Sequence, residues 1–219
     1  MHANPLLPPQ PMPESAATYA ERYSLTNFIN AYYQVRDCLA YAPATVLLVG
    51  VGVGLERSLL RDRFGLKVTT LDIDAGFQPD YLGSVHEMPM FTPKQFDVAI
   101  AAHVLEHLDF RYFTPALAEL ARVAHHALLY LPYGGRHPEL RLRGLSTHLD
   151  CRLRCSFAPG KRIDGTQPVL CGGEHYWECG YRGFEVSRLR HIIEQYFIVD
   201  ECYQNPEWRY SLNFRLTAR

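Results

Sequence analysis

The chain has 219 residues, of which 47% are apolar and 21% charged, and its formal net charge is −1 at pH 7. This composition is typical of a soluble globular domain, and the near-zero charge provides no general attraction to nucleic acid or membrane surfaces. The longest uninterrupted apolar stretch, residues 46–55, has ten residues, whereas a membrane-spanning helix needs about 20. No basic region followed by an apolar run occurs near residue 1, so we expect a cytoplasmic protein without membrane association.

The sequence predicts one domain preceded by a short lead-in. Residues 1–13 contain five of the 15 prolines, and because proline removes backbone donors we expect this segment to be disordered. Residues 14–219 have the length of a single domain. The six cysteines are too few for a disulfide scaffold in a chain of this length, and only Cys151 and Cys155 have zinc-type spacing, so we expect reduced thiols and no metal site.

Hydrophobic periodicity predicts an α/β fold. Apolar residues recur at helical spacing across residues 14–41, and beyond them short apolar runs alternate with helical stretches, which is typical of a doubly wound, mostly parallel sheet. The predicted strands are 46–49, 67–73, 96–102, 127–131, 197–203 and 210–216, and the predicted later helices are 55–64, 113–124 and 184–196. Residues 134–180 have no clear period, and we interpret them as an irregular insertion or lid.

The first predicted strand ends in a glycine-rich loop, Gly50, Gly52 and Gly54, and the second ends in Asp72. Glycines before a helix let a ligand approach bare backbone, and an acid about 20 residues later can accept both ribose hydroxyls. A dinucleotide site would also need glycine or alanine at the sixth position, where Leu55 or Arg57 stands in the two registers. The pattern therefore indicates a nucleoside-containing cofactor and weighs against a dinucleotide.

Four segments in order resemble the motifs of class I S-adenosylmethionine-dependent methyltransferases of the small-molecule type. They are 46–54 (the first motif), 68–74 (the ribose-binding strand), 83–91 (the adenine segment) and 96–108 (the fourth-strand motif). The resemblance implies a Rossmann-like seven-stranded sheet with a reversed last strand, an N-terminal helix and the insertion after the fifth strand. It also implies S-adenosylmethionine as the cofactor.

The resemblance assigns cofactor contacts residue by residue. They are Gly50, Gly52, Gly54, Asp72, Ile73, Ser84, Val85 and His103. The chain departs from the family pattern twice: Leu48 stands where an acid usually precedes the glycines, and Ser84 stands where aspartate often contacts the adenine. The departures imply either a modest affinity for the cofactor or a methionine end that is held differently.

Two histidines are the candidate catalytic residues. His103 follows the fourth-strand motif, and His175 lies in the aromatic segment 172–178, which could close over an acceptor. Histidine titrates near neutral pH, which suits a general base, although methyl transfer needs a base only when the acceptor must lose a proton. Glu106 and His107 are interpreted as structural.

The sequence does not identify the methyl acceptor. Residues 136–162 contain seven basic and two acidic residues, which fits an anionic small molecule or, less favoured, RNA. We expect methyl transfer to an oxygen, nitrogen or carbon of a small-molecule acceptor. The alternatives are a non-catalytic cofactor-binding protein, an RNA methyltransferase and an NAD-dependent oxidoreductase.

Overall fold

The computed structural model describes residues 23–135, 138–139, 154–155 and 163–219. Its centre is a seven-stranded mixed sheet with the order β3-β2-β1-β4-β5-β9-β8. The strands are β1 Thr45–Val49, β2 Lys67–Asp72, β3 Tyr81–Leu82, β4 Phe96–Ala102, β5 Ala124–Pro132, β8 Phe197–Gln204 and β9 Ser211–Ala218, and a separate two-stranded pair joins β6 Pro138–Glu139 to β7 Arg154–Cys155. The predicted α/β class and Rossmann-like sheet are confirmed.

The sheet is parallel from β3 to β5 and antiparallel at its other edge. β1 pairs in parallel with both β2 and β4, so it lies at the point where the strand order reverses. β9 pairs antiparallel with β5 and with β8, which confirms the reversed last strand. In open α/β sheets ligands bind beyond the carboxyl ends of the strands at this reversal. A ligand is therefore expected beside the residues that follow β1, β2 and β4.

In the part of the chain that the structure describes, four helices cover the two faces of the sheet. They are α1 Leu25–Leu39, α2 Leu55–Ser58, which continues as a π-helix over Leu59–Arg63, α3 Phe113–Val123 and α4 Val186–Ile193. The hydroxyl of Ser24 accepts a hydrogen bond from Asn27 N–H and caps α1. The helix predicted over 14–41 is thus observed from Leu25, and residues 14–22, like the lead-in 1–13, lie outside the part of the chain that the structure describes.

Two apolar clusters lie on opposite faces of the sheet, which is why β1 and β4 are apolar along almost their whole length. One cluster includes Leu47 and Ala99, and the other includes Leu48 and Ile100. Successive strand residues therefore alternate between two buried layers. No helix in the described ranges has both the length and the apolar character that crossing a membrane would require.

The second half of the predicted insertion is packed against the main core. Trp177 and Cys179 are 0% exposed, and the indole N–H of Trp177 donates to Leu108 O at 3.2 Å. Trp177 is surrounded by the rings of Phe110, Phe113 and Phe184. Within residues 163–180 the aromatic segment therefore closes the end of the core, a role different from that of a free-standing lid.

Candidate active site

The loop after β1 exposes backbone at the switch point of the sheet. Gly50, Gly52 and Gly54 have φ angles of +78°, +50° and +75°, which favour glycine strongly. A Cβ atom at Gly52 would meet no heavy atom within 4 Å, whereas one at Gly50 would lie 2.5 Å from Cγ2 of Val104. Gly50 is therefore required by the packing of the loop. Gly52 leaves open space over its backbone, which is a cradle that a ligand can enter.

Asp72, the last residue of β2, is bonded to the glycine loop. Its Oδ2 accepts from Val51 N–H at 2.7 Å, and its Oδ1 accepts from Asp74 N–H at 2.9 Å. Each carboxylate oxygen can accept a further bond, so both remain able to receive a ribose hydroxyl. The neighbouring Ile73 is 63% exposed. An apolar surface thus lies beside the carboxylate, as expected for a residue that supports a nucleoside.

In the predicted adenine segment, Ser84 and Val85 offer few free groups to a ligand. The hydroxyl of Ser84 lies 2.7 Å from Nδ1 of His86, whose ring packs against Tyr112 at a tilt of 32° with centroids 4.2 Å apart. The side chain of Val85 is 2% exposed and belongs to the core. Val85 therefore offers only its backbone to an adenine, and Ser84 can contact one only through the part of its hydroxyl that His86 does not use.

Glu56 is an acidic residue at this site that the sequence analysis did not identify. It lies in the first turn of α2, is partly buried, and accepts a 3.0 Å hydrogen bond from the Gln34 amide. Burial raises the pKa of the Glu56 carboxyl, while its hydrogen bonds and the charge of nearby His103 act in the opposite direction. The sequence carries a signal for this acid, because Glu56 follows the last glycine of the loop by two residues. The family pattern, however, places the acid at the position of Leu48.

His103 follows β4 with a left-handed φ of +54°. Its Nε2 lies 3.1 Å from Ser211 Oγ, and its Nδ1 lies 3.5 Å from Glu106 Oε1. The Ser211 hydroxyl donates its own proton to Asn213 Oδ1 at 2.6 Å, so the His103 Nε2–H must be the donor to Ser211. In the neutral ring the basic nitrogen is then Nδ1, which faces Glu106.

His175, the second candidate, is buried close to the same carboxylate. Its Nδ1 lies 2.9 Å from Glu178 Oε1, and the Tyr210 hydroxyl donates to that oxygen at 2.7 Å. Burial lowers the pKa of His175, but the Glu178 hydrogen bond and the charges of Glu106 and Glu178 outweigh it, and the net shift is upward. Burial, with the Glu178 hydrogen bond, also raises the pKa of Tyr210.

The structure thus brings both candidate histidines to Glu106, a residue that the sequence analysis treated as structural. Glu106 lies in the short 3-10 helix Leu105–His107 that follows β4. The ring of the adjacent His107 meets that of His175 edge to face, with centroids 4.7 Å apart. Of the predicted cofactor residues, Asp72 is bonded to the glycine loop, and the predicted catalytic residues His103 and His175 both lie beside Glu106.

The comparison with protein-family models matches the part of the chain that holds most of the candidate site residues. Residues 47–127 match the family model described as a methyltransferase domain. This range runs from β1 into β5 and includes the glycine loop, Asp72, His103 and Glu106. It stops before the segment that contributes His175. The chain matches no curated protein in sequence.

Solved structures share the fold over nearly the whole chain. The N-methyltransferase NodS from Bradyrhizobium japonicum WM9, solved with S-adenosyl-L-homocysteine, is 11% identical with a TM-score of 0.58 and covers 94% of this chain and 93% of its own. For the methyltransferase domain of bacterial-CtHen1-CN the identity is 16%, the TM-score 0.56 and the coverage 87% and 98%. The PH0226 protein from Pyrococcus horikoshii OT3 is 12% identical with a TM-score of 0.55 and coverage of 92% and 98%. At these identities the likeness establishes the fold.

Proposed function

We propose that this chain, whose residues 47–127 match a methyltransferase-domain model, is a class I S-adenosylmethionine-dependent methyltransferase that transfers the methyl group of its cofactor to a small anionic acceptor. The observation that carries the proposal is the open backbone at Gly52, inside the segment that matches the methyltransferase model. S-adenosylmethionine supplies an electrophilic methyl group on its sulfonium. The chain's own task is to bind and align the two reactants.

The nucleoside half of the cofactor is assigned to the glycine loop and the end of β2. Asp72 would accept the ribose hydroxyls with the lone pairs that Val51 and Asp74 leave free. Ile73, which is largely exposed, would lie against the nucleoside. Ser84 and the backbone of Val85 would border the adenine. Gly50 would keep the loop close to Val104, and Gly54 begins α2 with a left-handed φ.

We assign the methionine end of the cofactor to Glu56. The family's usual acid is replaced by Leu48, which is 2% exposed and packs into the core. Glu56 supplies a carboxylate on the other side of the same loop, held by Gln34 of α1. A partly buried carboxylate can bind an ammonium group with a charge-assisted hydrogen bond. Glu56 would therefore take over the α-ammonium group of S-adenosylmethionine.

The acceptor is expected to reach the carboxyl edge of the sheet near His103. Its side chain is 19% exposed and its ring lies 5.3 Å from that of Trp208. His103 would border the acceptor, because its Nε2–H is already donated to Ser211 and its Nδ1 faces the buried Glu106. His175 is buried, so its place is in supporting Glu106. The seven basic residues of 136–162 favour an anionic acceptor.

A transfer assay with methyl-labelled S-adenosylmethionine tests this function. The acceptors are a panel of small carboxylates and phosphates, their neutral analogues, and total RNA. We expect label in one or more of the acidic small molecules, and none with Gly52→Ala, whose side chain fills the cofactor cradle. Label confined to RNA or to neutral molecules would refute the proposed acceptor class. Cofactor binding without any transfer would favour a non-catalytic role.

A further inference from the structure

We propose that Glu106, His107 and His175 form a binding site for a divalent transition-metal ion. One ligand atom from each of the three side chains lies within 4.8 Å of the other two. Glu106 and His107 come from the turn after β4, and His175 comes from a loop far along the chain that the turn Cys171–Gly173 precedes. The fold has thus brought together two imidazoles and a carboxylate at one point.

The burial of Glu106 without a hydrogen-bond partner is the strongest evidence for this site. Its side chain is 0% exposed, and among the residues that the structure describes neither carboxylate oxygen has a hydrogen-bond partner. Buried charged groups are ordinarily hydrogen-bonded, paired or coordinated to a metal, because desolvating an unpartnered carboxylate is costly. Nδ1 of His103 lies 3.5 Å from Oε1 of the same carboxylate and forms no hydrogen bond with it. A cation held by Glu106 would supply the missing partner.

His175 is oriented in the manner of a metal ligand. Its Nδ1 is engaged by Glu178, and Glu178 is in turn held by the hydroxyl of Tyr210. This leaves Nε2 of His175 as the nitrogen available for coordination. A carboxylate that fixes the second nitrogen of a ligating imidazole is the usual outer shell of such sites. His107 is exposed, so an ion can reach the cluster from solvent.

The donor set indicates the class of ion. Two imidazole nitrogens and one carboxylate oxygen suit Zn²⁺, Co²⁺, Mn²⁺ or Fe²⁺ rather than Ca²⁺ or Mg²⁺. Three protein ligands leave a coordination position for an exogenous oxygen. Insofar as the proposed function holds, that position would take an oxygen of the anionic acceptor and lower its pKa. Ion binding itself does not depend on that function.

Cobalt and zinc titrations without S-adenosylmethionine test the site. Tag-free protein is stripped with a chelator, Co²⁺ is followed by its visible absorption, and Zn²⁺ by calorimetry. We expect one ion per chain, and loss of binding in Glu106→Gln and in His175→Ala. Glu87→Gln and His191→Ala, which alter exposed residues of the same types elsewhere, should bind as the unaltered chain does. Glu178→Gln should bind about 10- to 100-fold more weakly, as outer-shell substitutions do.

Thermal unfolding guards against variants that merely misfold. Metal-free Glu106→Gln should melt at or above the temperature of the unaltered chain, because the substitution removes an unpartnered buried charge. Added Zn²⁺ should raise the melting temperature of the unaltered chain and leave that of the variant unchanged. Absence of ion binding, or binding that survives in Glu106→Gln, would overturn the site. A metal-free chain that still binds S-adenosylmethionine would leave the proposed function intact.

Discussion

Val51 and Asp72 are joined by a 2.7 Å hydrogen bond from the loop N–H to the carboxylate. This bond links the ends of β1 and β2, which the fold places side by side at the switch point of the sheet. Under the proposed function Asp72 has two roles, because the carboxylate that shapes the glycine loop would also accept the ribose hydroxyls. The proposed cofactor cradle therefore consists of a glycine loop and a strand end that this bond holds together.

Asp72→Asn should weaken binding of S-adenosylmethionine by about 10- to 100-fold. Losing hydrogen bonds to a charged acceptor costs about 1.5–3 kcal/mol, and each 1.4 kcal/mol is tenfold in affinity. Calorimetry gives the dissociation constant. Asp74→Asn is the matched control, since Asp74 is exposed and its side chain accepts only from Gly76 N–H among the bonds observed. Equal affinities for both variants would remove Asp72 from the ribose site.

Alanine at Gly52 and alanine at Gly50 should have different effects. Gly52→Ala meets no neighbour, so the free energy of unfolding should fall only by the left-handed backbone cost, about 1–2 kcal/mol, while cofactor binding is lost. Gly50→Ala also collides with Val104 and should destabilise the chain further. Denaturant unfolding and calorimetry measure the two effects. Normal cofactor affinity in Gly52→Ala would mean that the ligand does not approach this backbone.

Glu56→Gln should reduce affinity for S-adenosylmethionine and leave affinity for 5′-methylthioadenosine unchanged. The second ligand lacks the amino acid part, so it cannot use a carboxylate that binds the ammonium group. Competition calorimetry with both ligands separates the two contributions. A parallel loss for both ligands would show that Glu56 acts on the loop as a whole.

Trp177→Ala should lower the free energy of unfolding by about 3–5 kcal/mol, as expected for a large aromatic residue removed from a packed core. Trp208, which is only partly buried beside His103, serves as the comparison, and Trp208→Ala should cost less. Urea denaturation measures both. A near-zero effect at Trp177 would mean that the segment around it opens freely and is a lid after all.

Asp97 should stabilise the fold at neutral pH and lose this effect in acid. Its Oδ2 accepts from Thr45 N–H, Ala44 N–H and the Thr45 hydroxyl at 2.8, 2.8 and 3.0 Å. These bonds, led by that from Thr45 N–H, lower the pKa of Asp97. A folded-state pKa below the unfolded value of about 3.9 adds stability above that pH, which is lost as pH falls through the folded pKa.

The variant Asp97→Asn should accordingly be less stable than the unaltered chain by about 1–2 kcal/mol at pH 7. The difference should shrink below about pH 4. Asp62→Asn, at an exposed position, should show no such difference. A difference for Asp97→Asn that is constant from pH 7 to pH 3 would contradict the assigned hydrogen bonds.

Sequence patterns predicted the sheet because β1 and β4 are buried on both faces and therefore read as continuous apolar runs. β3 was not predicted, since Tyr81 and Leu82 are both exposed and the strand has only two residues. The full length of β5 was underestimated because its first residues include His125 and His126, which do not fit an apolar run.

The proposed cofactor residues could be selected from the sequence because they lie in short motifs at strand ends. The cluster around Glu106 could not, because His175 lies far along the chain from Glu106 and His107 and meets them through tertiary packing, which includes the bond from Tyr176 N–H to Glu106 O. Tyr210 and Glu178 carry no signal of their own, and a buried carboxylate without a partner is visible only in three dimensions. Glu56, which we propose for the methionine end, illustrates the same limit, since it lies on a helix next to the motif in which an acid was expected.

Calorimetric titration of the unaltered chain with S-adenosylmethionine, S-adenosylhomocysteine and NAD decides whether the glycine loop is a methyltransferase cofactor site. We expect saturable binding of both adenosyl ligands with one site per chain, and no binding of NAD. Binding of NAD without binding of either adenosyl ligand would contradict it.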